Sequence, residues 1–417
     1  MRRLPTLLGL ALLLLTALSA PALAAQRARA DVGEIQTTTS RIRGLAATEP
    51  VPTVPLSRDD LRALLLAELD DDWMRAHLAR KQTAWIVLGM LPPGFDLQAS
   101  LRAAQGDQVL GFYRTQDRTM YVLDDDGAAS SPLRDVVLAH EYTHALQDQH
   151  FGLDQVLPYP PPNGDFDLAR LALLEGDATA TMLSYAEATL SAEQLEQLGA
   201  VDGSFEHSAL DNLPAALRAE LTFPYVEGTA FVYSMSATGT INSVFRRPPV
   251  STEQILHPSR YFASEQPRMI DVPDLAGRLG DGWRHAGGDV MGELDLRAML
   301  GEWIAIPRAT IAADGWDGDR WELYLDAQQR PALVLETSWD GVEHAHEFFD
   351  AFSAAQRARY GGAAVAREAP SEMEIAAPEG WWRMQAADDR VLILFAPHPE
   401  ALHALQTALA APAEAQE

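Results

Sequence analysis

Hydrophobic positions recur along this chain with two periods, and the expected elements change where the period changes. Ser57-Arg58-Asp59-Asp60 caps a helical stretch through about Arg80. Gln108–Tyr113 and Thr119–Leu123 read as two strands of a hairpin, joined by Arg114-Thr115-Gln116-Asp117-Arg118 and closed by the turn Asp124-Asp125-Asp126-Gly127. Ser131-Pro132 opens a helix that runs to about Gln149, with Ser131 as N-cap and Pro132 in the first position. After the proline-rich loop 158–164, Asp165 caps a helix from Phe166 to about Leu190. Further helices are expected at 209–220, 225–237 and 251–256, the last with a Ser251/Gln254 capping box.

From about residue 266 the pattern becomes mixed. Trp321–Leu325, Ala332–Thr337, Trp381–Met384 and Val391–Phe395 read as strands, and Val342–Arg359 and Pro399 to about Leu409 as helices. The expected fold class is α+β: a helix-rich catalytic unit with a preceding β-hairpin, followed by a mixed α/β C-terminal domain. The boundaries are a signal peptide at 1–25, a linker at 26–55 ending in Glu49-Pro50-Val51-Pro52-Thr53-Val54-Pro55, a catalytic unit at 56–265 and a C-terminal unit at 266–417.

The signal rests on a positive start, Met1-Arg2-Arg3, an apolar run Leu7–Leu18 and an Ala22-Leu23-Ala24 cleavage site. The apolar run is shorter than the ~20 residues of a spanning helix. The expectation is export to the periplasm, cell envelope or medium, with no membrane insertion after signal removal.

Composition narrows the chemistry. The 417 residues carry a formal charge of -27, which opposes binding to phosphate backbones and anionic membranes. No nucleic-acid partner is expected. Cysteine is absent, so thiolate metal sites, disulfides and cysteine nucleophiles are excluded, and any metal must be held by His, Asp or Glu. Lys81 is the sole lysine.

The strongest chemical signal is His140-Glu141-Tyr142-Thr143-His144. On a helix, residues four apart share a face, so two imidazoles at that spacing converge on one zinc ion. Glu141, one position on, lies beside the metal, where a carboxylate can take a proton from water. A catalytic zinc needs a third protein ligand. Glu175, in Leu173-Leu174-Glu175-Gly176 on the following helix, is an acid on an apolar face, and Glu227 in a second Glu-Gly is a competing choice.

A hairpin, an HExxH helix and a second helix bearing Leu-x-Glu-Gly resemble the gluzincins, the thermolysin-like superfamily of zinc metallopeptidases. The resemblance covers roughly residues 105–190. It implies that His140, His144 and Glu175 hold Zn2+, that Glu141 activates water, and that the strand before the helix holds substrate backbone by strand addition. Such enzymes often carry Asp four residues after the third ligand; here that position is Thr179, and the nearby acid is Asp177. The run 140–150 is also similar to exported bacterial proteins of unassigned activity.

Asp148 and Asp177 are candidate supports for the ligands, and His257, Tyr261 and Tyr225, with Tyr233 behind them, are candidate donors to an oxyanion. Other features carry less. His344 and His346, two apart on a helix, do not share a face. Trp316-Asp317-Gly318-Asp319-Arg320-Trp321 reads as a turn, and Trp381-Trp382 as a core aromatic pair.

The sequence thus points to an exported zinc metallohydrolase, a peptidase acting on peptide or protein substrates. The other readings are a cell-envelope binding protein with a structural or vestigial metal, and the same metal chemistry on a non-peptide amide or ester. Oligomeric state is not encoded in these features.

Overall fold

The computed structural model describes residues 32–106, 110–124, 132–196, 210, 212–239 and 241–410. The expected signal peptide, the Ser131 cap and most of the turn after the hairpin lie outside the described residues. Among the described residues no helix is long and apolar enough to cross a membrane.

The chain is mixed α+β with two sheets. Part of the segment read as a linker is regular: α1 spans Val32–Arg43 and buries Ile35 and Thr39, and β1 spans Thr53–Leu56. The prolines at 52 and 55 hold β1 extended, and it pairs in parallel with β3 (Thr119–Leu123). β2 (Gly111–Arg114) pairs antiparallel on the other side of β3, which completes the hairpin and leaves β2 at the edge of the order β1-β3-β2.

The helix expected from 57 to about 80 is two helices. α2 covers Arg58–Leu66 with Ser57 as its cap, and α3 covers Asp72–Leu88. Asp71 makes the break, because its carboxylate accepts from the Trp73 and Met74 amides and starts a new helix. α4 follows at Leu97–Gly106.

Two long helices form the centre of the helical half. α5 runs Pro132–Phe151 and α6 Gly164–Thr189. The cap of α6 is Asn163, which accepts from the Phe166 amide at 2.8 Å, and not Asp165. Asp165 turns inward to accept from the Thr252 amide and hydroxyl at 3.0 and 2.6 Å. The two helices expected at 209–220 and 225–237 are one helix, α7, Ala215–Ser236, which runs through Pro224. The proline lacks an amide and forfeits the bond to the Glu220 carbonyl, yet the helix resumes beyond it.

The C-terminal sheet has seven antiparallel strands in the order β4-β5-β6-β10-β9-β8-β7. Their ranges are β4 Arg284–Asp289, β5 Trp316–Leu325, β6 Pro331–Trp339, β7 Val365–Ala369, β8 Glu372–Ala377, β9 Gly380–Ala387 and β10 Arg390–Ala396. The stretch from Trp316 to Trp321 is not a turn; it begins β5, with a bulge between Trp316 and Gly318. Helices α8 (Gly292–Gly301), α9 (Ile306–Ala313), α10 (Val342–Tyr360) and α11 (Pro399–Ala410) complete the unit.

Alternation along the strands gives this sheet two buried faces. Trp321, Leu323, Leu333 and Leu335 join Phe348 and Phe352 of α10 in one core. Tyr324, Ala332 and Val334 join Leu402 and Leu405 of α11 in another. Trp382 packs in the first core and Trp381 against the second, so the adjacent tryptophans face opposite sides. The first core also takes in Trp85 and Leu88 of α3 and Leu97 of α4, so it crosses the boundary expected near residue 265.

Candidate metal centre

α5 is buried along most of its length, and its polar residues are buried with it. His140, Glu141 and His144 are 2%, 1% and 0% exposed. Ligands enter such a site only when another helix brings a compensating charge to the same depth. α6 does so through Glu175, which is 0% exposed.

The three ligand atoms form a nearly equilateral triangle. His140 Nε2 lies 3.1 Å from Glu175 Oε2 and 3.2 Å from His144 Nε2, and His144 Nε2 lies 3.5 Å from Glu175 Oε2. Tetrahedral zinc with bonds of about 2.0–2.1 Å holds its ligand atoms roughly 3.3 Å apart, so these three atoms fit the ion. Glu175 Oε1, His140 Nδ1 and Glu141 Oε1 are buried without a hydrogen-bond partner.

One imidazole is oriented by its neighbours. Gln147 Nε2 donates to the Leu174 carbonyl at 3.0 Å and to Asp177 Oδ2 at 2.9 Å, which turns Gln147 Oε1 toward His144 Nδ1 at 2.9 Å. Nδ1 therefore carries the proton, and the Nε2 lone pair of a neutral His144 points at Glu175 and His140. Asp177 is in turn held by Arg43 of α1, whose Nε donates to Oδ2 at 2.8 Å while Nη1 donates to Asn242. Arg43 and Gln147 are the participants that sequence reasoning missed. Gln147, one turn beyond His144 on the same face, was the one with a legible signal.

Glu141 faces the hairpin. Its Oε2 accepts from the Tyr113 amide of β2 at 2.9 Å. That amide points off the open edge of the sheet and is spent on Glu141, while β3, the strand before α5 expected to hold substrate, is paired on both sides. Asp148 does not support a ligand imidazole. It accepts from the Tyr113 hydroxyl at 2.8 Å and the Leu153 amide at 3.0 Å.

The Gly in Leu-x-Glu-Gly has a packing reason. A Cβ on Gly176 would stand 2.3 Å from the Gly228 carbonyl, and a Cβ on Gly228 would stand 2.3 Å from the Ala172 carbonyl oxygen. α6 and α7 thus meet backbone to backbone, which brings Tyr225 to Glu175. The second Glu-Gly contributes its glycine: Glu227 lies 3.9 Å from Arg297, outside the triangle.

Of the four oxyanion candidates, Tyr225 alone joins the site. Burial, the charges of Glu175 and Glu141 and a hydrogen bond to Glu175 push its hydroxyl well above the usual tyrosine range, so it remains a donor. His257 is tied to Glu293 at 2.9 Å. Tyr261 donates to the Arg247 carbonyl at 3.0 Å and packs edge-on against Phe231. Tyr233, about two turns beyond Tyr225 on α7, is half exposed.

The metal-free electrostatics follow from the same geometry. Burial raises the Glu141 carboxyl to about 8. Burial disfavours the charged form of His144, but Glu175 outweighs it and carries the imidazole up to about 9. Burial opposes ionisation of Glu175, and His144 and His140 overcome it, so its carboxyl falls below the ordinary value.

The family comparison reaches a different part of the chain. Residues 278–406 match the family described as "Domain of unknown function (DUF8575)", which takes in the seven-stranded sheet and stops short of α5, α6 and α7. Over 135 residues the chain is 30% identical to "Transcriptional regulator MraZ" of Paenarthrobacter aurescens (strain TC1), a stretch that makes up 31% of this chain and 85% of that protein. On that stretch the chain belongs with this relative. No solved structure matches the chain.

Proposed function

We propose that the chain is an exported zinc-dependent metallohydrolase of the peptidase type, with a zincin-like catalytic unit. The observation that carries this reading is the buried triangle of His140 Nε2, His144 Nε2 and Glu175 Oε2, with sides of 3.1, 3.2 and 3.5 Å and Glu141 beside it. The MraZ relative is titled a transcriptional regulator; a net charge of -27 gives this chain no attraction for a phosphate backbone.

Zinc held by His140, His144 and Glu175 supplies Lewis acidity and acidifies water. The remaining chemistry belongs to the side chains. Glu141 Oε1, buried and unpaired, accepts a proton from the attacking water. The hydroxide adds to the carbonyl carbon, the C–N bond breaks, and Glu141 returns the proton to the leaving nitrogen. Tyr225, near Glu175 and kept protonated, donates to the developing oxyanion. Gln147 keeps the His144 Nε2 lone pair directed inward.

One observation favours a second reading, a structural metal in an envelope-binding protein. His140, Glu141, His144 and Glu175 are all at most 2% exposed, as in a closed structural site. Tyr225, which is partly exposed, marks the approach to them. A peptide-library digest by wild type and Glu141→Gln, with zinc measured on both, separates the readings. The enzyme reading expects one zinc in each and cleavage by the wild type only. Zinc in both with cleavage by neither favours the structural metal.

A further inference from the structure

α1 buries little apolar surface, yet it buries a charge. Ile35 packs among Ala139, Tyr142 and Met182, and Thr39 is buried beside it on the same helix. In the last turn Arg43 turns inward, with its side chain 5% exposed. Taking a guanidinium out of water is costly and is offset only by well-placed partners. Arg43 Nε lies 2.7 Å from Asp177 Oδ1 and 2.8 Å from Oδ2, across 134 positions of sequence. Nη1 donates to Asn242 Oδ1 at 2.9 Å, and the guanidinium carbon stands 5.8 Å from the centre of the Phe245 ring. Asn242 and Phe245 both belong to the short helix Ile241–Arg246.

The carboxylate that Arg43 grips also holds Gln147. Asp177 Oδ2 accepts from Arg43 Nε at 2.8 Å and from Gln147 Nε2 at 2.9 Å. Arg43, Asp177, Gln147 and His144 therefore stand in series, each hydrogen-bonded to the next, and the last three are at most 2% exposed.

The direction of the series is set at Gln147. Its Nε2 faces two acceptors, the Leu174 carbonyl and Asp177 Oδ2, so Oε1 is the atom left to meet His144 Nδ1. A rotated amide would set Oε1 against both acceptors and present Nε2 to Nδ1. A neutral His144 would then carry its proton on Nε2, the nitrogen that a metal needs. The Leu174 carbonyl is fixed in the backbone of α6. The Asp177 carboxylate is a side chain, and among the described residues its hydrogen-bond partners are Gln147 and Arg43. Arg43 is thus the anchor that keeps this acceptor in front of Gln147. α1 meets the motif helix at a second point, where Ser40 Oγ lies 3.4 Å from the Tyr142 hydroxyl.

We propose that Arg43 is a positioning residue of the metal centre: through Asp177 and Gln147 it holds His144 with Nε2 directed at the ion, which makes α1 part of the centre. The assignment rests on the zinc reading of the triangle. The competing view is a tether, in which the pair only fastens α1 to the helices beneath it.

The test titrates Zn2+ and Co2+ into the metal-free full chain against a chromophoric chelator. The chains are wild type, Arg43→Leu, Arg43→Lys and the double variant Arg43→Leu/Asp177→Leu, with thermal melts to give the folded fraction. The double variant leaves no lone buried charge, so it keeps the test open if Arg43→Leu does not fold. Zinc affinity should fall about 10-fold or more in Arg43→Leu and in the double variant. The visible band of tetrahedral Co2+ should shift in both, and Arg43→Lys, which restores a charged donor, should recover part of the affinity. A cycle with Gln147→Leu separates a series from a tether. If Arg43 acts through Gln147, adding Arg43→Leu to Gln147→Leu lowers zinc affinity no further. Folded variants with wild-type affinity and cobalt band, or losses that add in full across the cycle, overturn the assignment and leave the zinc reading standing. A wild-type chain that takes up neither metal overturns both.

Discussion

On β5 and β6 the side chains that face α10 are Trp321, Leu323, Leu333 and Leu335, all at most 3% exposed. At the same depth between α5, α6 and α7 stand His140, Glu141, His144 and Glu175. In the sheet, Arg390 meets Glu336 and Arg383 meets Glu374 with partly exposed side chains. In the helical half, Arg43 and Asp177 are paired with side chains 5% and 3% exposed. The sheet is stabilised by apolar area, and removing a ring there opens a cavity. The helical pair retains charges that hydrophobic burial alone does not repay, and such groups persist where they bind or react.

The sharpest way to separate the halves is through Glu141. Glu141→Gln keeps the fold and the zinc, and lowers turnover by about 10²–10⁴-fold. Assays on the purified variant with zinc quantified check this, and activity near wild type would remove the role of Glu141. The converse substitution is Trp382→Ala in the sheet core. It should cost about 3–5 kcal/mol in urea unfolding while leaving zinc stoichiometry unchanged in the folded fraction.

Smaller changes test how the helices are joined. Gly228→Ala places a methyl against the Ala172 carbonyl oxygen. It should cost about 1–3 kcal/mol, and Tyr225 should shift away from Glu175 in a crystal structure. Gln147→Leu keeps the volume and removes the acceptor for His144 Nδ1. Zinc affinity, measured by competition with a chelator, should fall about 10–100-fold.

A further test concerns pH. Burial raises the Asp165 carboxyl to about 8, against the opposing hydrogen bonds from Thr252. Its unfolded value is near 3.9. Between these values the folded state holds the proton more tightly than the unfolded chain, so stability falls as pH rises from about 4 to 8. Thermal melts at pH 5 and pH 8 should give a lower midpoint at the higher pH, and Asp165→Asn should flatten the difference.

Much of this was legible because local rules agreed. Ser57, Ser251 and Pro132 mark helix starts, and the strict i, i+4 spacing of His140 and His144 fixes their shared face on any helix. What escaped depended on contacts between distant segments. α1 carries no strong amphipathic pattern, and it is held by packing on α5 and α6 and by Arg43 reaching Asp177. Pro224 suggested a break, but tertiary packing carries α7 through it. Asp165 had the composition of a cap, yet Asn163 sits nearer the start and Asp165 is drawn inward by Thr252. β4 and β7 are bulged edge strands that alternate too weakly to announce themselves. Tyr225 could be chosen over His257 and Tyr261 only once Gly176 and Gly228 were seen to bring the helices together.

The central claim is that His140, His144 and Glu175 hold one zinc ion. Elemental analysis of the purified chain beside His144→Ala and Glu175→Ala tests it most directly. The account predicts one zinc per wild-type chain and loss of it in both variants, with the seven-stranded sheet still folded. A wild-type chain that stays zinc-free in excess zinc, or a Glu175→Ala chain that keeps it, would contradict the account.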